Sequence, residues 1–233
     1  MKKTLIQISW VMAIALIAIP SYSQSQGQKI KLSQEQIEKM ERRVAEKVAL
    51  LGRYITNIAY KYKDMTNEEQ IQKKEYYRKS ALNLFINRGD EYDVITTTKK
   101  KLDNGEIKTE KDTIHKKGAI MEVTSLKDPD NPSRNTVKTY LKGLMNLKYY
   151  QVEIKTTDWW NMRVTKPKKI ANNLYFCTCY FKQEFHGESR EGWDYIDVTC
   201  KRVDCYIYVL ETEEGLEYQI MLGDVRALET RRE

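Results

Sequence analysis

Apolar residues recur at steps of three and four through Ile37, Met40, Val44, Val48, Leu51, Ile55, Ile58 and Tyr62, the spacing of one face of a helix. Ser33 followed by Gln36 supplies a capping-box pattern ahead of them, so a long amphipathic helix is predicted over about residues 34–63. Thr66 with Glu69 repeats the signal. Ile71, Tyr77, Ala81, Leu84 and Phe85 then continue to a stop at Asn87-Arg88-Gly89, which predicts a second helix over about residues 67–87.

From Tyr92 the pattern changes. Val94 to Thr98 is β-branched, Asp103-Asn104-Gly105 is a turn signal and Ala119 to Val123 is apolar, which gives two or three strands. Asp128 to Asn135 holds two of the four prolines and reads as a loop, leading to a short third helix marked by Val137, Tyr140, Leu141, Leu144 and Met145. Beyond it the alternation has period two. Tyr150, Val152, Ile154, Trp160, Met162 and Val164 share one register. Tyr175, Cys177, Cys179, Phe181 and Phe185 share another, and Leu216, Tyr218, Ile220 and Leu222 a third. Such strands bury one face only, as in an antiparallel sheet covered by helices on one side, so the fold class is α+β.

Charge and the N-terminus then set the compartment. Lys2 and Lys3, an apolar run from Leu5 to Ile19, Pro20 and the small residues of Ser21-Tyr22-Ser23 read as an export leader with cleavage expected after Ser23, the alternative being an uncleaved membrane anchor. No cysteine follows the run to carry a lipid. The expected organisation is a leader over 1–23, a linker over 24–33, one domain over 34–229 and a tail over 230–233. The protein is expected outside the cytoplasm, periplasmic or extracellular, with no stable membrane insertion after cleavage. Loss of Lys2 and Lys3 lowers the formal charge from +7 to +5, and Lys and Arg alternate with Glu and Asp along the chain. That mixed surface argues against nucleic acid as a partner.

All four cysteines, Cys177, Cys179, Cys200 and Cys205, lie in the second half. Their spacing fits no zinc ribbon, while export permits disulfides. A hairpin turning around Gly187 to Gly192 sets Cys179 opposite Cys200. Ile196, Val198 and Cys200 are even whereas Val203, Cys205, Ile207 and Val209 are odd, so a bulge near Lys201 and Arg202 is expected to bring Cys205 to the face of Cys200. At least one cross-strand bridge follows, the alternative being four small buried thiols.

The order helix, helix, short strands, helix, long antiparallel strands resembles the NTF2-like superfamily. Tyr140-Leu141-Lys142-Gly143-Leu144, Leu147-Lys148-Tyr149-Tyr150-Gln151-Val152, Tyr195-Ile196-Asp197-Val198-Thr199-Cys200-Lys201 and Leu222-Gly223-Asp224-Val225 look like a group of secreted bacterial members of unassigned function. The resemblance covers about residues 34–229 and implies a curved antiparallel sheet wrapped around the long first helix, with three helices in all. It implies no reaction, because the superfamily holds enzymes, transport factors and adaptors.

Candidate chemistry is sparse. His115 and His186 lack convergent partners, and no nucleophile-elbow, dinucleotide or P-loop motif occurs, so no metal or cofactor is expected. Asp158 falls on the inward register ahead of Trp160, and Gln183 and Asp224 lie on the registers of Phe181 and Leu222; these are the pocket candidates. In NTF2-like enzymes the acid-base group sits deep in the cone, a role the resemblance would give Asp158. The alternative is polar groups near strand ends that reach water. The outward register carries Tyr149, Trp159, Phe176, Tyr180, Trp193, Tyr195, Tyr206 and Tyr208, an excess of rings for a solvated face. An exported binding or scaffold domain acting through that face is expected, its partner another protein or a second copy, with an extended glycan or peptide as the competing occupant. The rival is a small-molecule binder or enzyme using the cone interior, which a polar void of several hundred Å³ there would revive.

Overall fold

The computed structural model describes residues 32–231 apart from 102–106, 127 and 193, and only the backbone over 94–113. The leader, most of the linker, the end of the tail and Trp193 lie outside the described residues. α1 spans Gln34–Ala59, and its cap forms as the sequence indicates: Gln36 N donates to Ser33 Oγ (3.2 Å) and Ser33 N to Gln36 Oε1 (2.8 Å). Its apolar stripe of Met40, Val44, Val48, Leu51, Ile55 and Ile58 is fully buried, which is what holds a helix of this length in place. It stops four residues short of the expected end, because the last turn is closed at Tyr60 and the Tyr62 hydroxyl folds back on Asn57 O.

α2 spans Asn67–Leu82 under the Thr66 and Glu69 capping box. It too is shorter than expected. Leu84 and Phe85, which continue its periodicity, leave the helix as a turn and an extended residue: Leu222 N donates to Leu84 O (2.8 Å), and the Phe85 ring is fully buried. Asn87, Arg88 and Gly89 then turn the chain with φ of 45°, 53° and 75°. Only glycine fits the last of these, since a Cβ there would stand 2.4 Å from Val137 Cγ1.

β1 (Tyr92–Lys101) and β2 (Ile107–Lys116) form a separate hairpin. The main sheet contains β3 (Ile120–Ser125), β4 (Asp128–Thr136), β5 (Gln151–Thr156), β6 (Arg163–Val164), β7 (Lys168–Ala171), β8 (Leu174–Glu188), β9 (Asp194–Thr212) and β10 (Gly215–Arg231). Its order is β4-β3-β10-β9-β8-β5, with β6 and β7 also on β8. β3 meets β10 in parallel, so the large curved sheet is mixed and not purely antiparallel. The expected loop over 128–135 is β4. It tolerates Pro129 and Pro132 because β4 is an edge strand and both fall in its register irregularity, between the pairs Ser125 with Asp128 and Val123 with Ser133. α3 (Val137–Met145) follows it under a Thr136 cap. The chain is thus α+β with three α-helices among the described residues. No helix among those residues is long and apolar enough to cross a membrane.

Candidate functional site: a cleft on the inner face of the sheet

β8 and β9 pair without a break from Leu174 opposite Tyr208 to Glu188 opposite Asp194, so odd residues of both share one face. At one end of that face Tyr175, Cys177 and Cys179 lie beside Ile207, Cys205 and Val203, and Ile220, Leu222 and Val225 of β10 extend the rows. All are buried in the core with the α1 stripe. At the other end the same register presents Lys201 beside Phe181, Thr199 beside Gln183, Asp197 beside Phe185 and Tyr195 beside Gly187. Thr156, Ile154 and Val152 of β5 complete these rows.

Here the apolar filling stops and a cleft of about 640 Å³ opens between the sheet, α3 and the β3–β4 edge. Leu144, Leu147, Ile154, Phe185 and the rings of Tyr140 and Tyr149 give it apolar walls, with Ser, Thr and Asn side chains of β3, β4 and α3 near its rim. Gly187 makes the space for Tyr149: a Cβ would lie 2.7 Å from that ring, which instead stacks edge-on against Phe185 at 5.4 Å.

The polar groups at its floor are buried and tied together. Lys201 Nζ donates to Gln183 Oε1 (2.7 Å) and lies 5.9 Å from the centre of the Tyr140 ring. Burial pulls its ammonium down to about 8, opposed by the charge of Asp197. Burial likewise raises the Asp197 carboxyl above its usual range, while a hydrogen bond from the Tyr195 hydroxyl and the Lys201 charge pull it back. The Tyr195 hydroxyl also accepts from Leu126 N (3.1 Å), and burial raises it to about 12. Thr199 bonds Thr230 (3.0 Å), which in turn contacts Thr124. The arrangement offers one amine, one carboxyl and several hydroxyls inside apolar walls, which suits an uncharged or amphipathic organic molecule.

Of the predicted pocket residues, only Gln183 lines this cleft. Asp158 is exposed, because β5 ends at Thr156 and a 3₁₀ turn over Trp159–Asn161 breaks the alternation on which its inward placement rested. Trp160 is 63% exposed and packs edge-on against Trp159, at a separate groove beside Gly52 and Thr56 of α1. Asp224 is buried but not in the cleft: it accepts from Lys116 Nζ (2.7 Å) and Ile120 N (3.1 Å), joining the hairpin foot to the sheet.

The cysteines also fall otherwise. Cys177 faces Cys205, Cys179 faces Val203 and Cys200 faces Lys182, and all four are free thiols. Cys179 and Cys200 point to opposite faces. No bulge interrupts β9 against β8; the irregularities lie on β10, between Leu222 and Val225 and between Ala227 and Glu229. What looked like a phase change in β9 is one inward register whose members turn from apolar to polar.

The same correction divides the aromatic set. Tyr149 and Tyr195 line the cleft. Phe176, Tyr180, Tyr206 and Tyr208 keep the outward register, but Tyr206 is buried against Phe176 and Tyr180 lies under Arg163. Trp159 belongs to the 3₁₀ turn. His115 sits on the hairpin, exposed beside Asp93 and Glu91, and His186 lies 3.5 Å from Asp194. Among the described residues no group of His, Cys, Asp and Glu suits a metal ion. Asp197, Thr199 and Lys201, the residues that sequence reasoning missed, carried a signal: they are the unbroken continuation of the odd register of Val203. Comparison with family models, curated proteins and solved structures returns no match for this chain.

Proposed function

We propose that the chain is an exported NTF2-like domain that binds a small amphipathic organic molecule in the cleft between sheet and α3. A long helix lying on the inner face of long strands, with the space at one end left open, supports the superfamily assignment, and the leader of Lys2, Lys3 and Leu5 to Ile19 supports export. The observation that carries the reading is the register of β9. Burying Lys201, Asp197 and Thr199 at the floor of an unfilled space of about 640 Å³ costs stability, and a ligand site gives that cost a purpose.

Titration with the neutral probe 2-naphthalenemethanol, followed by fluorescence, tests it. Saturable binding is expected in the parent and not in Gly143→Phe, whose new side chain starts from a Cβ with no atom within 4 Å and enters the cleft from α3. Binding that survives Gly143→Phe would place the probe elsewhere.

A second reading concerns the outward face, where Tyr208 and Leu210 of β9 and Ile170 of β7 are 37%, 47% and 41% exposed. We infer weak self-association or protein binding there, secondary to the cleft because the ring count on that face has fallen. Concentration-dependent sedimentation that vanishes in Tyr208→Ser with Leu210→Ser checks it.

A further inference from the structure

Lys201 presents its amine to the cleft with a single hydrogen-bond acceptor on it, Gln183 Oε1, and Gln183 is steadied by Thr156. An ammonium has three donors, so part of its bonding capacity is left for whatever enters. Asp197 lies four residues along the same strand face, about 13 Å away between Cα atoms, and senses the amine without an ion pair to it. An amine and a carboxyl on one strand face thus line the same apolar-walled space.

We propose that Lys201 captures the carbonyl group of an aldehyde or ketone of apolar body as an imine, with Asp197 moving the protons. This rests on the cleft being a ligand site. The uncharged Nζ adds to the carbonyl carbon, the C–O π pair moves to oxygen, and a proton passes from nitrogen to that oxygen. The protonated Asp197 carboxyl then gives its proton to the hydroxyl, which leaves as water while the nitrogen lone pair forms C=N. The Asp197 carboxylate finally takes the remaining N–H proton. Amine and carbonyl become imine and water, with no oxidant or reductant consumed. The lowered proton affinity of Lys201 and the raised one of Asp197 favour the forms this sequence needs near neutrality.

Reductive trapping on the full chain tests it, with 2-naphthaldehyde and cyanoborohydride at mild alkaline pH and peptide mass spectrometry as readout. Lys201 should label at least about tenfold faster than any exposed lysine, because the cleft holds the aldehyde beside its amine. Lys74 is the internal control, because burial also pulls it down to about 8 but it lies on α2, away from the cleft. Gly143→Phe should abolish the Lys201 adduct and leave any Lys74 adduct unchanged. Equal labelling of Lys74 and Lys201, or Lys201 labelling that persists in Gly143→Phe, would show reactivity set by proton affinity alone and overturn the proposal. If 2-naphthalenemethanol binds while Lys201 stays unlabelled, the imine is wrong and the ligand site stands. If the alcohol does not bind and the aldehyde does not label, both fall.

Discussion

The inner face of the sheet has two halves built from the same strands, and they are finished differently. In one, Tyr175, Cys177, Cys179, Val203, Cys205, Ile207 and Leu222 meet the stripe of α1 and leave no space. In the other, Gln183, Asp197, Thr199 and Lys201 occupy equivalent rows, α1 touches only the β5 end of them and contributes no residue to the cleft lining, and the shorter α3 covers the floor incompletely. Register, strand pairing and backbone are continuous between the two. Side-chain chemistry and the reach of the helices decide which half is core and which half is cleft.

The largest expected contrast lies in the filled half. Ile207 is fully buried, so Ile207→Ala should cost about 3–4 kcal/mol in chemical denaturation, the transfer loss plus an unrelaxed cavity. Leu144→Ala at the cleft should cost about half as much, because its side chain already borders open space. Equal costs would mean that the cleft closes in solution.

Next in size is the seam between the halves. A Cβ on Gly52 of α1 would stand 2.6 Å from Thr156 Cβ, and Thr56 Oγ1 donates to Ile154 O beside it. Alanine gains about 1 kcal/mol in helix propensity, yet that contact forces α1 and β5 apart. Gly52→Ala should therefore be destabilising by about 1–2 kcal/mol, with Gly52→Ser similar, read by thermal unfolding. A stabilised Gly52→Ala would show that α1 is not seated on β5.

Lys201 sharpens the contrast through pH. Its folded pKa of about 8 lies below the ordinary lysine value, so between about pH 8 and 10 the unfolded chain binds the extra proton and stability rises with pH. Below about pH 8 both states are protonated and the full burial cost is present. Lys201→Met should stabilise the protein at pH 7 by roughly 1–2 kcal/mol, less than the burial cost alone because Gln183 Oε1 loses its donor, and should flatten the rise above pH 8. A variant with unchanged pH dependence would mean that the amine already reaches water.

Much of this architecture was legible in the sequence. Both capping boxes, the α1 stripe, the short α3 and the alternation of the long strands all carried over, because each rests on local periodicity or on a side chain bonding a backbone three residues away. Failures arose where tertiary pairing outvoted the local pattern. Leu84 and Phe85 fit a helix but are held by Leu222, and the prolines of β4 are harmless only at an edge that no local window shows. The cleft was missed for a related reason. Asp197, Thr199 and Lys201 are polar on a buried register, which reads as a change of face unless the β8 partners are known. Phe185, Gln183 and Phe181 supply those partners at a register three residues from the one the cysteines suggested.

The smallest effect belongs to Asp158, the weak catalytic candidate of the sequence. A strand-end group reaching water was the alternative to the inward placement that rested on Val152 and Ile154. Those two are buried, but the strand ends before Asp158, and the carboxylate sits exposed at the N-terminal side of a 3₁₀ turn with no side-chain cap bond. It borders the groove of Trp159, Trp160 and α1, separated from the cleft by β5 and the Thr156 row. Asp158→Asn should therefore change stability by no more than about 0.5 kcal/mol, as for an exposed polar exchange. It should leave the binding of 2-naphthalenemethanol unaltered, whereas Gly143→Phe should abolish it. Titrating both variants side by side would decide the matter: a binding loss in Asp158→Asn comparable to that in Gly143→Phe would put the ligand in the groove beside α1, and the boundary drawn between the two halves of the sheet would have to move.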